Sequence, residues 1–260
     1  MKQLLVIWLV LLLSVRVTVK GAEGADTALV KPATEDEQHY IMAATAVDWW
    51  RGGLSAGVVF SVLPQPLTEY PIPAPMIELR GRFALPLNLA IYGRLGSNIA
   101  TNIGQIGAMW TLNLPVVSLG GGLSGFITYG NITYIDGFNV VHERLTFYPM
   151  ATASLRLEKV TLTARIEAEV LSYRRSRLGD AEGDNGNDRK NQDVIGYTRY
   201  DRQLTGGAIT LSIEQPFWKN THILLGVTFA YSRTPYQAWF LYNTFDDRLF
   251  STEFFAGFIL

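Results

Sequence analysis

The chain contains no cysteine, which excludes a disulfide framework, a thiol nucleophile and a lipid anchor attached through cysteine. It also lacks an excess of either charge. With 22 Lys and Arg against 23 Asp and Glu, there is no electrostatic footprint for nucleic acid. Charge is scarce altogether, at 17% of residues where soluble domains carry roughly a quarter. Beyond the first residues, long apolar runs are missing too. Segments such as Ile223-Leu224-Leu225-Gly226-Val227 fall far short of the about 20 residues a membrane helix needs. What the chain does carry is 12% aromatics and 24 glycines, a mixture suited to strands that meet a membrane interface.

The first residues read as an export signal. Lys2 supplies the positive start, Leu4 to Val15 the apolar stretch, and Gly21, Ala22, Gly24 and Ala25 the small residues of a cleavage region. The cut is placed near Gly24, giving a signal peptide over 1–24. The competing reading is an uncleaved anchor helix over Leu4–Val19, which is short and interrupted by Arg16. Residues 25–52 then form an N-terminal segment in the periplasm, and 53–260 the main domain.

In that domain the dominant signal is alternation with a period of two, which puts one set of residues on each face of a strand. Ile77, Leu79, Gly81, Phe83 and Leu85 share one face, and Glu78, Arg80, Arg82 and Ala84 the other. Leu89, Ile91, Gly93 and Leu95 repeat the pattern against Ala90, Tyr92 and Arg94. So do Leu145 to Leu157 against Arg144 to Glu158, and Leu162 to Val170 against Thr163 to Glu169. These registers outlast the 5 to 6 residues of an ordinary strand and suit the about 9–11 of a membrane strand. Ten segments result, at about 53–63, 75–86, 88–97, 102–113, 116–130, 141–158, 160–174, 201–215, 220–233 and 249–260. Their connections alternate. Short turns fall at 86–88, 113–115, 158–159 and 215–220, longer ones at 64–74, 131–140, 175–200 and 234–248, with 98–101 the one short member of the second set.

A soluble sandwich and a membrane barrel share this alternation, with opposite faces inside. Export, strand length and loop asymmetry favour the barrel. Its lumen is then lined by the charges Glu78, Arg80, Arg82, Arg94, Arg144 and Arg156, together with Glu158, Arg165, Glu167, Glu169, Glu214 and Glu253. Six Arg balance six Glu, and ten strands leave at most a narrow passage, so a salt-bridged interior is expected. Tyr129, Trp218, Tyr231, Phe250 and Phe258 fall near strand ends, where interface girdles belong. The expected fold is all-β, an antiparallel transmembrane up-and-down β-barrel of about ten strands.

The last segment, Glu253-Phe254-Phe255-Ala256-Gly257-Phe258-Ile259-Leu260, places Phe254, Ala256, Phe258 and Leu260 on one face. It resembles the C-terminal strand of bacterial outer-membrane β-barrel proteins, although such strands usually end in an aromatic and this one ends in Leu260. The resemblance covers the chain from about residue 53 onward. It implies location in the outer membrane, contact with its lipid and lipopolysaccharide, and recognition by the barrel-assembly machinery.

Ahead of the barrel, Thr34-Glu35-Asp36-Glu37 reads as a capping box, with Pro32 upstream and Gly52-Gly53 downstream. A helix over 35–50 follows, with Tyr40, Ala43, Ala44, Val47 and Trp50 on one stripe. An extra strand through His39–Val47 is the rival.

Catalytic signals are thin. His39, His142 and His222 fall before the barrel, in a loop and near a short turn, and none has a nucleophile at a matching spacing. His142-Glu143 reads as a solvated loop pair. Asp180, Glu182, Asp184 and Asp188 resemble a calcium loop only superficially, because Asn185 stands where glycine is required. No catalytic residue, metal or cofactor is expected. Arg174, Arg175 and Arg177 at the base of the 175–200 loop are candidate contacts for lipopolysaccharide phosphates. Tyr236, Trp239 and Tyr242 are candidate surface contacts in the 234–248 loop. The leading functional expectation is a non-enzymatic barrel, structural or a narrow polar channel. Alternatives are a binding or adhesion protein acting through its long loops, and a lipid-modifying enzyme.

Overall fold

Alternating chains longer than about nine residues satisfy their backbone groups without water only by closing into a barrel. This chain does so. The computed structural model describes residues 39–63, 73–132, 140–157, 160–178, 203–218, 221–233 and 248–260. The strands are β1 (Gly52–Val62), β2 (Pro73–Leu85), β3 (Leu89–Ser97), β4 (Thr101–Asn113), β5 (Val117–Ile132), β6 (Val140–Arg156), β7 (Thr161–Leu178), β8 (Gln203–Trp218), β9 (Thr221–Ser232) and β10 (Leu249–Ile259). Each is antiparallel to its sequence neighbours, and β1 pairs with β10 to close the barrel. The expected architecture and strand count therefore hold.

The wall is apolar outside and polar inside. On β2, Ile77, Leu79 and Phe83 are exposed while Glu78, Arg80 and Arg82 are buried. On β5, Leu119, Leu123 and Ile127 alternate with the buried Ser118, Ser124 and Thr128. On β8, Ile209, Leu211 and Ile213 alternate with the buried Thr210, Ser212 and Glu214. A soluble sandwich requires the reverse, so this is the lipid-facing arrangement.

One end of the barrel carries tight turns. Leu87 and Asn88 both take positive φ (63° and 60°) between β2 and β3, as a two-strand reversal there demands. Leu114 donates to the Val117 carbonyl at 2.8 Å, and Leu157 to that of Val160 at 2.9 Å. At the opposite end, the short 98–101 connection is closed by the Thr101 amide donating to Asn98 Oδ1 at 2.6 Å.

Two expectations need correction. No helix forms over residues 40–50, which are bends, extended pieces and a turn; residues 35–38 lie outside the described set. The cap at Thr34 is a local signal, whereas main-chain partners supplied by the barrel decide the conformation of 41–46. The boundary of β7 also moves. It continues to Leu178, so Arg174, Arg175 and Arg177 lie on a strand, paired in register with Arg144, Glu143 and Val141, rather than in a loop.

Candidate functional site

The lumen is divided into a floor and an upper cavity. The floor is the N-terminal segment itself. Tyr40 to Thr45 are all buried inside the barrel near its tight-turn end, and four wall residues hold the main chain of 41–46. Glu214 on β8 accepts three successive amides: Ile41 N and Met42 N on Oε1 at 2.6 and 2.9 Å, and Ala43 N on Oε2 at 2.8 Å. Ser154 Oγ on β6 accepts from Ala44 N at 2.8 Å and lies 2.9 Å from Thr163 Oγ1. Asn113 on β4 pairs with Ala46 like a neighbouring strand, its Oδ1 accepting from the amide at 2.8 Å and its Nδ2 donating to the carbonyl at 3.0 Å. From β2, Arg82 donates to the carbonyls of Ala43 (2.6 Å) and Thr45.

Around the barrel, strands follow the order β1, β10, β9, β8, and so on to β2. The segment traces that circle from inside. His39 stacks on His222 of β9 at 5.8 Å, and Tyr40 meets the same ring edge-on at 5.5 Å. Contacts with β8, β6 and β4 come next. The Asp48–Arg51 turn then brings Trp50 N to the Ala84 carbonyl at 3.1 Å, and β1 begins. The loop closes on itself at Gly53, where a Cβ would stand 2.3 Å from the His39 carbonyl oxygen. Tyr40, Ile41 and Met42 complete an apolar cluster with Val59, Met76, Ile103, Phe126, Leu224, Phe255 and Ile259. Within it, the Phe255 ring closes on Gly226, where a Cβ would come 2.2 Å from its Cζ.

Above the floor, the charges pair with one another. Glu78 accepts from both Arg80 and Arg94, and Arg94 reaches Glu253 at 3.4 Å. The Arg80 guanidinium also stands 4.0 Å over the Phe255 ring. Arg144 lies 3.9 Å from Glu169, and Arg165 4.0 Å from Glu167 and 5.4 Å over Tyr92. Between these groups is a cavity of about 100 Å³, running from Ile41 and Met42 to Ser232 and Ser251. It is polar and large enough for several waters. Most of the arginines and glutamates stand on β2, β3, β6 and β7. The β8–β10 wall contributes Glu253 beside Gly207, Ala208, Thr210, Thr228 and Ala230, whose small side chains leave the space open.

The expected lumen charges thus occupy several places. Glu78, Arg80, Arg94, Arg144, Arg165, Glu167, Glu169 and Glu253 surround or support the cavity. Arg82 and Glu214 serve the floor. Arg156 stands at the tight-turn rim and donates to the Leu114 carbonyl. Glu158 lies outside the described residues, as do Tyr236, Trp239 and Tyr242. Arg174 is half-buried on β7, and the side chains of Arg175 and Arg177 are not among those described.

His142, expected in a loop, is buried on β6, because that strand begins at Val140. Among the described residues no three His, Asp or Glu side chains gather as a metal site. Sequence reasoning missed Asn113 and Ser154, ordinary inward-facing polar residues with no motif. One signal did exist for Glu214. Its cross-strand neighbours are Thr161 and Leu224, so no cation flanks it in register.

The chain matches no protein-family model and no curated protein. Among solved structures, a KdgM porin is similar at 10% identity and a TM-score of 0.38, over 79% of this chain and 97% of that one. The outer membrane protease OmpT from Escherichia coli is similar at 11% and 0.41, over 80% and 95%. Ail, the attachment invasion locus protein of Yersinia pestis, is similar at 11% and 0.32, over 82% and 100%. At these identities and scores the likenesses assign the chain no activity.

Proposed function

We propose that the protein is a non-enzymatic barrel of the bacterial outer membrane, holding a narrow polar passage that its own N-terminal segment closes. The observation that carries this reading is the burial of residues 40–45 across the lumen, with their main chain bound to Glu214, Ser154 and Arg82. The tight-turn end faces the periplasm in this reading, as short turns do in such barrels. Solute entering from the outer side would reach the cavity and stop at Ile41 and Met42.

The apolar belt contacts outer-membrane lipid, with lipopolysaccharide at its outer rim. The final strand is the element offered to the barrel-assembly machinery. Trp49, Trp50, Phe217 and Trp218 are exposed at the tight-turn end, where an aromatic girdle would anchor the inner interface.

Planar-bilayer recording tests the reading. The purified full chain is expected to give a closed bilayer, and steady conductance from it overturns the closed floor. Recovery in the soluble periplasmic fraction, without heat-modifiable gel mobility, overturns the membrane assignment itself. Altered membrane lipid profiles on overexpression would overturn the non-enzymatic assignment.

A further inference from the structure

We infer that the floor of the lumen is a peptide-binding site, occupied here by the chain's own residues 40–46 and able to take a separate peptide of the same pattern. The inference rests on the floor contacts and not on whether the barrel conducts. Every hydrogen bond from Glu214, Ser154, Asn113 and Arg82 to the segment ends on main chain: the amides of residues 41–44 and 46, and the carbonyls of 43, 45 and 46. Polar contact to a side chain of the stretch comes from Arg80, whose Nη1 lies 3.3 Å from Met42 Sδ, and over 43–46 the wall engages main chain. Ala43, Ala44 and Ala46 offer only methyl groups, and the Thr45 hydroxyl is buried with no hydrogen-bond partner among the described residues although its carbonyl is held.

A site that satisfies the main chain and leaves a buried hydroxyl unanswered is built for backbone, not for one particular side chain. Selectivity comes from two features. The apolar cluster around Val59, Ile103 and Phe255 accepts large side chains at positions 40–42. The close wall then admits only small ones, since a Cβ built on Gly120 would sit 3.1 Å from that of Ala44. The ligand is therefore a non-helical peptide of about seven residues, three bulky apolar positions followed by small ones. Glu214 acts as its amide clamp and Arg82 as its carbonyl clamp, from two sides of the barrel.

To test this, a specific protease sequence is inserted between Asp48 and Trp49 in the exposed turn of the full chain, and cut after folding. A fluorescent peptide of residues 39–48 is then added to the detergent-solubilised barrel. The labelled peptide is expected to replace the severed segment, with a saturable rise in anisotropy. N-methylation at Ile41, Met42 and Ala43 should weaken it tenfold or more, and Glu214→Gln in the barrel should do the same. A Thr45→Val peptide should bind within threefold of the parent. A peptide that never exchanges, or an N-methylated one that binds as well as the parent, overturns the inference.

Hydrogen exchange on the uncut protein covers the case in which the cut barrel unfolds. The amides of 41–44 are expected to exchange at least tenfold faster than those of β6–β8, through release of the segment alone. Exchange of the two sets at one common rate overturns the site as releasable. Both tests read binding, so a conducting wild-type barrel would refute the closed passage without touching this result.

Discussion

The lower and upper halves of the lumen use the same residue types in the same inward register and do different things with them. In the upper half, Arg144, Arg165, Glu167 and Glu169 meet at 3.9–4.0 Å around a cavity with room for water. In the lower half, Glu214 is fully buried, and its hydrogen-bond donors are three amides rather than an arginine. The difference teaches what burial demands. Around the cavity carboxylates are answered by guanidinium groups, closely at Glu78 and more loosely at Glu167 and Glu169, whereas the floor's carboxylate has its oxygens filled by short, directed amides. A balanced count of Arg and Glu therefore describes only the upper half.

The sharpest way to break this contrast is to remove the amide clamp. Glu214→Ala strips the acceptor from three buried amides, and a loss of about 3–5 kcal/mol is expected in urea titrations of the protein in lipid vesicles. A loss below about 1 kcal/mol would mean the lower half is as wet as the upper.

Moving a charge through the wall sharpens the contrast between inside and outside. Ile106→Arg, on the exposed face near the middle of β4, should cost about 2–4 kcal/mol in the same titration. Gly226→Ala probes the packing of the lower half, because the new methyl meets the Phe255 ring and the Leu211 carbonyl. About 1–3 kcal/mol is expected, with slower refolding yield no substitute for the equilibrium measurement. The smallest effect belongs to the upper half. Glu167→Gln should change stability by about 1 kcal/mol or less, and the change should shrink further in high salt.

Much of the fold was legible because period-two patterning is a property of each strand by itself. Ile77 to Leu85 declared both faces of β2 without reference to any other residue, and tight turns such as Pro86-Leu87-Asn88 set its end. The far end of β7 was not legible. The run Tyr173 to Arg177 is polar, and on a strand that reaches past the apolar belt polarity no longer marks a loop. Residues 40–46 were misread for a related reason. A capping box and an alanine-rich stripe favour a helix locally, but here the lumen supplies main-chain partners that no local pattern announces. The stacking of His39 on His222 was equally hidden, since it depends on the segment having first turned inward.

The path of that segment also orders events in time. Its amides at 41–43 find their acceptor 171–173 residues further along the chain. The β1–β10 seam, from Ser55 with Ile259 to Val62 with Thr252, joins residues still further apart, and loop closures of this size come at the entropic extreme of the fold. Until β8 has been laid into the sheet, the early segment has no carboxylate to lie against. The same segment packs on Phe255 and Ile259 of β10, so a stretch that precedes the barrel in the chain completes its contacts only once the final strand is in place.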